Sequence, residues 1–179
     1  MEAIGVPHWI KEHMVMIQQS DHVVKLFYSY SHEDGQHREF MEKSLALLKR
    51  DGLLKDWSDQ EILPGRRISV ETRSNMDHAD IIVFLISPDF IASEECTKEW
   101  IYAKQLASNN QLLFRIPIIL RDCAWKDFLE KDDLKALPED GVPVVNFCKQ
   151  DTAWQQVYEG IKAVVNELRS TFTAKPTFL

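Results

Sequence analysis

Residues 79–87 read ADIIVFLIS, and the six from Ile81 to Ile86 are all apolar. A strand with one wet face alternates apolar and polar side chains. An unbroken run of this kind belongs to a strand covered on both faces, as in a parallel sheet. The flanking segments fit that sheet. VVKLFYSY (23–30) is a strand of β-branched and aromatic residues, and LLKDW (53–57) is a short second one. LLFRIPIIL (112–120) is a further buried strand in which Pro117 signals an irregularity or an edge, and VPVVNF (142–147) is a last strand. Helices fall between them. HREFMEKSLALLKRDG (37–52) carries an apolar stripe of Phe40, Met41, Leu45, Leu47 and Leu48, with Gly52 as its stop. ISVETRSNMDHAD (68–80) is a second helix. SEECTKEW (93–100) opens a third that runs to about Ser108, after a loop PDFIA.

The remaining segments complete one domain. RDCAWKDFLEKDDLKALPEDG (121–141) is a long connection with a short helix. In DTAWQQVYEGIKAVVNELRS (151–170), Asp151 or Thr152 caps a helix striped by Trp154, Val157, Tyr158, Ile161, Val164, Val165 and Leu168. Residues 1–22 form an extension, helical on the spacing of Trp9, Ile10, Met14 and Ile17, residues 23–170 the domain, and 171–179 a loose tail or linker. Strand and helix alternate five times, which is the pattern of an α/β domain with an open parallel sheet and helices on both faces. In such folds ligands gather beyond the carboxyl ends of the strands. The segments there are SHEDGQ, SDQEILPGRR, SPDFIASEEC and RDCAWKD.

Composition narrows the chemistry. At 179 residues, 45% hydrophobic, the chain can fill one real core. A net charge of -7 argues against nonspecific binding to nucleic acid or anionic membrane. Three cysteines without a C-x-x-C do not read as a disulfide framework or a zinc site, and suit a reducing cytosol. The first residues lack a signal-peptide pattern, and no segment approaches the roughly 18 apolar residues of a membrane span. A soluble cytoplasmic protein is expected.

The glycines exclude the commonest nucleotide sites. They stand at 5, 35, 52, 65, 141 and 160, so neither G-x-G-x-x-G nor a P-loop is possible. G-x-S-x-G and H-E-x-x-H are absent as well. His32, Glu33 and Asp34 are adjacent in a loop and point different ways, so no metal is expected. In SEECTKEW, Ser93 is the N-cap and Glu94 and Glu95 suit the positive helix end. Glu99 lies beyond that benefit, on a stripe with Cys96, Ala103 and Leu106. It reads either as a solvated residue pairing near Lys98 or with Arg73, or as a carboxylate facing a cleft.

FYSYSHED, WSDQEILPG, ADIIVFLISPDFIAS and CTKE occur in order, each on the expected element, and together resemble a Toll/interleukin receptor (TIR) domain, nearer to bacterial members than to animal adaptors. The resemblance implies a flavodoxin-like, five-stranded parallel sheet. It also implies one of two functions. Some members cleave NAD+ into nicotinamide and ADP-ribose or a cyclic isomer, often as effectors of antiphage defence switched on by self-assembly. Others are non-catalytic adaptors that act by TIR–TIR association. A related ribosyl-transferring enzyme is a weaker third reading.

By that resemblance Glu99, three residues after Cys96, is the catalytic glutamate, and Cys96 lines the pocket. Tyr30, Ser31, His32 and Asp34 form the nicotinamide-side wall, although His32 stands where some members have arginine. Asp59 and Arg66 or Arg67 also face substrate, with the arginines at the pyrophosphate, and Trp100 either lines the pocket or belongs to the core. Trp57 reads better as core. Ile62, Leu63, Pro64 and Gly65 form the assembly loop, apolar where exposure is expected. NAD+ is then substrate and no cofactor is required. The implied partners are copies of this domain and a sensor outside this chain, without direct binding of nucleic acid or membrane. Breaking the ribose–nicotinamide bond releases a neutral base, so no acid is needed and one carboxylate suffices, in contrast to glycoside hydrolysis with its two.

Overall fold

The computed structural model describes residues 22–57, 68–129 and 132–174. The N-terminal helix expected within 1–21, the loop residues Asp59, Ile62, Leu63, Pro64, Gly65, Arg66 and Arg67, and the end of the tail lie outside them. Strands β1 (Val24–Tyr30), β2 (Leu54–Trp57), β3 (Ile81–Ile86) and β4 (Phe114–Ile119) form one parallel sheet in the order β2-β1-β3-β4. The helices are α1 (Gly35–Ser44), α2 (Ala46–Arg50), α3 (Ile68–Asp77), α4 (Pro88–Ala92), α5 (Glu94–Asn109), α6 (Trp125–Leu129) and α7 (Gln150–Ala174).

The apolar run is the centre of the molecule. All six residues of β3 are fully buried, between β1 and β4. Successive strand side chains point to opposite faces, so the run divides between two cores. Ile81, Val83 and Leu85 pack with Met41 of α1, Leu45 between α1 and α2, Leu48 of α2, and Trp154, Val157, Ile161, Val165 and Leu168 of α7. Ile82, Phe84 and Ile86 pack with Met76 of α3, Phe90 of α4, Cys96, Trp100 and Ala103 of α5, and Leu129 of α6. Burial of each large aliphatic side chain contributes about 1.5–3 kcal/mol, so the strand that announces the fold also holds its two layers together.

Several details differ from the sequence pattern. VPVVNF is not a strand. Val144–Asn146 is a 3-10 turn, and the backbone N–H of Asn146 donates to Pro143 O at 2.9 Å. Leu137 takes the edge of β4 instead, donating to Pro117 O at 2.9 Å and accepting from Ile119 N at 2.8 Å. With those groups satisfied and Pro143 lacking a donor, a fifth ladder has little to form with. Pro117 accordingly sits in an edge strand of the described sheet. PDFIA is a helix, not a loop: Ser87 Oγ accepts from the Phe90 N–H at 3.0 Å and Pro88 occupies its first turn.

The first helix breaks at Leu45, and Phe40 and Leu47 of its stripe face outward, at 38% and 43% exposure. Gly52 ends it as expected, with φ of 68°. Helix α7 starts at Gln150, which places Asp151 and Thr152 inside it, and it continues through Ala174 into the supposed tail.

Candidate active site

A cavity of about 940 Å³ opens between α3 and α5, over the carboxyl-terminal part of β1. This is the side of β1 that carries Phe27 and Ser29, and it lies beside the junction of β1 and β3, where strand order reverses. Tyr30, Ser31, His32 and Glu33 line the cavity from the β1 loop, Ser93, Cys96 and Glu99 from α5, and Thr72, Arg73 and Met76 from α3. Its volume suits a nucleotide-sized ligand.

Glu99 is the half-buried acid of this cavity. The Ser29 hydroxyl donates to its Oε2 at 2.5 Å, across 70 positions of sequence. Ser29 is 1% exposed, so this charge-assisted bond fixes the carboxylate against the end of the sheet. Glu94 and Glu95 behave quite differently. Their side chains are 90% and 76% exposed and both meet Lys98. The cap that starts the helix is the expected one: Ser93 Oγ accepts from the Cys96 N–H at 3.3 Å.

Cys96 sits one turn from Glu99. Burial pushes its thiol up to about 11, the neighbouring Glu99 charge adds to the rise, and the Ser93 hydroxyl offsets part of it. A thiol held neutral there lines a wall and is a poor nucleophile. Tyr30 also lines the cavity, but it is only 9% exposed and the Arg38 guanidinium lies over its ring at 5.6 Å.

Two of the residues expected at the site stand outside the cavity. Asp34 is 1% exposed and serves as an anchor. Its Oδ2 accepts from Ser87 Oγ at 2.5 Å, and its Oδ1 accepts from Arg121 at 2.9 Å. Arg121 also bonds Asp89, so one guanidinium ties together the segments that follow β1, β3 and β4. Trp100 points into the core, 4.7 Å from Phe84 and 5.5 Å from Phe128 between ring centroids. Helical spacing explains this: Trp100 is one residue past Glu99 and so faces some 100° away from it. Trp57 stacks on Phe27 at 5.4 Å and is half-buried.

The pattern reading overlooked Ser29, Thr72, Arg73, Met76 and Tyr102. Ser29 left a trace, as a hydroxyl on the strand face otherwise defined by Phe27. The α3 residues left none, because a mostly polar helix does not declare which polar face meets a cavity. All three cysteines are free, and among the described residues no group of His, Cys, Asp or Glu is placed to hold a metal ion. Among the same residues no helix is long and apolar enough to cross a membrane.

Fold and cavity define a doubly wound α/β domain with a ligand-sized crevice at its switch point. The chain belongs to the TIR domain family, whose model matches residues 26–160. It is 34% identical over 151 residues to "Uncharacterized protein y4lF" of Sinorhizobium fredii, an alignment covering 84% of this chain and 46% of that protein. The chain thus spans about half the length of this relative. Among solved structures it is similar to the RPS4 and RRS1 TIR domain heterodimer, with a TM-score of 0.52 and 10% identity, covering 81% of this chain and 99% of that one. It is also similar to the TIR domain of the Toll-related receptor TRR-2 from Hydra magnipapillata, with a TM-score of 0.49 and 20% identity, covering 80% and 98%. TIR domains include NAD+-cleaving enzymes and non-catalytic adaptors.

Proposed function

We propose that the protein is an NAD+ glycohydrolase with Glu99 as its catalytic carboxylate. The observation that carries this reading is the Ser29–Glu99 hydrogen bond at the wall of a nucleotide-sized cavity. A solvated helix glutamate has no need of a buried hydroxyl donor. In the reaction the C1′–N bond breaks and its electron pair goes to the nicotinamide nitrogen, which leaves neutral. Positive charge develops on the ribose, and the fixed carboxylate stabilises it. The oxygen of a water, or for the cyclic product an adenine nitrogen or an adenosine ribose hydroxyl of the same molecule, then bonds C1′, and the attacking group gives up one proton. Ser31 and His32 hydrogen-bond the carboxamide or ribose, Cys96 helps exclude water, and Tyr30 supports the wall. Asp59 and Arg66 lie on the loop that completes the site.

The biological setting follows from the resemblance to bacterial TIR domains: an effector of antiphage defence, cytoplasmic, activated when copies assemble through Ile62–Gly65 under a sensor outside this chain. The test is nicotinamide release from NAD+ by concentrated or crowded protein, wild type beside Glu99→Ala. No release from the assembled wild type, or equal release by the variant, rules the reading out. A second reading, an adaptor acting by association alone, draws support from the similar structure being a TIR domain heterodimer. It predicts that Leu63→Glu abolishes assembly while NAD+ is untouched under every condition.

A further inference from the structure

Arg73 and Asp77 stand four residues apart on α3, the spacing at which opposite charges ordinarily pair along a helix. Here they do not pair. The Tyr102 hydroxyl of α5 donates to Asp77 Oδ1 at 2.5 Å, while the Arg73 guanidinium lies over the Tyr102 ring, 5.2 Å from its centroid. Among the described residues Arg73 has the ring as its partner and no carboxylate. Its planar set of N–H donors is therefore oriented, and no carboxylate among the described residues engages it. Arg73 and Tyr102 both line the cavity that holds Glu99.

We propose that Arg73, laid on Tyr102, is the anion subsite of this cavity and takes the diphosphate of a dinucleotide. Guanidinium donors match phosphate oxygens two at a time, and ring stacking holds the plane in place before ligand arrives. The distribution of charge along the cavity agrees. Lys98 is occupied by Glu95 at 2.8 Å and does not compete. Glu33 follows β1 and Glu99 is tied to Ser29 of β1, whereas Arg73 lies over Tyr102, which is three residues beyond Glu99, about 4.5 Å along the α5 axis. NAD+ has the same polarity, with a cationic base and reacting ribose at one end and an anionic diphosphate next to them. The identity of the dinucleotide rests on the glycohydrolase reading; the anion subsite rests on the Asp77–Tyr102–Arg73 arrangement alone.

The decisive measurement is calorimetric titration of the protein with inorganic pyrophosphate, for wild type, Arg73→Met, Tyr102→Phe and Asp77→Asn. Circular dichroism of each variant checks the fold. Arg73→Met should weaken binding about tenfold or more, the loss expected for charge-assisted hydrogen bonds. Tyr102→Phe keeps the ring but frees Asp77 to capture Arg73, so it should also weaken binding. Asp77→Asn should not. Pyrophosphate affinity equal in wild type and Arg73→Met, or no binding to wild type at millimolar concentration, overturns the proposal. In turnover, Arg73→Met should raise KM for NAD+ with little change in kcat, and leave KM for nicotinamide riboside unmoved. Wild type that binds pyrophosphate but releases no nicotinamide defeats the glycohydrolase reading and leaves the subsite standing.

Discussion

Asp34 and Glu99 are acids at the same end of the same sheet, and the protein uses them in opposite ways. Asp34 is sealed at 1% exposure, and its two oxygens are held by Ser87 and by the Arg121 cation. Glu99 is half-buried at a cavity wall, and the Ser29 hydroxyl donates to it. A buried charge with a countercharge is fixed and electrostatically satisfied. A half-buried carboxylate on a cavity wall can be reached by a ligand. The first arrangement joins the loops after β1, β3 and β4; the second sets an acid on the cavity wall.

The contrast can be broken at either end. Glu99→Gln should lower nicotinamide release at least about a hundredfold, the scale of losing a preorganised electrostatic group, with the melting temperature almost unchanged. A variant that melts early but turns over normally would give Glu99 the role assigned to Asp34. Arg121→Met should do the reverse. It strands the Asp34 charge, at a cost of about 2–3 kcal/mol, low in the range for buried pairs because Arg121 is 35% exposed. That corresponds to a fall of roughly 5–10 °C in thermal unfolding, and Asp34→Asn in the same chain should recover part of it.

Smaller changes sharpen the comparison. Ser29→Ala should lower kcat about tenfold, the worth of one hydrogen bond to a charged group, and leave KM nearly unmoved if Ser29 positions Glu99 and does not touch substrate. Cys96→Ala should change turnover less than about twofold, a ceiling set by its packing role, and alter the pH dependence of stability. The folded thiol titrates at about 11 against an ordinary value of 9.0, so the unfolded chain loses its proton first. The stability this thiol contributes is therefore fully present below pH 9 and is lost as pH rises toward 11. Unfolding of wild type and Cys96→Ala across that window isolates the difference. Glu94→Gln with Glu95→Gln should be the mildest, at no more than about 0.5–1 kcal/mol, because exposed first-turn acids contribute little.

How much of this was legible in advance follows from the range of each interaction. The burial of β3 on both faces, the Ser93 cap, the Gly52 stop and the stripe of α7 are local patterns, and the structure has them all. The Ser87–Pro88 start of α4 was local too and was read as a loop, because five residues make little periodic signal. The fate of VPVVNF was not local: Leu137 holds the β4 edge in its place. Glu99 could be picked out as an acid without a helix-end reason. Its Ser29 partner, the sealing of Asp34 and the inward turn of Trp100 could not be read the same way.

The sequence by itself therefore determined the four described strands, the main helices between them and the parallel sheet, since hydrophobic period and capping act over a few residues. It also named the acid that stands apart. Only the tertiary structure decided what each charge became. Ser29 and Glu99 are 70 positions apart, and Arg121 and Asp34 are 87. Whether a carboxylate meets a cation, a hydroxyl or a cavity depends on which loops the folded sheet brings to one edge. The energies of burial and pairing that separate a sealed anchor from a half-buried carboxylate at a cavity exist only once that edge has formed.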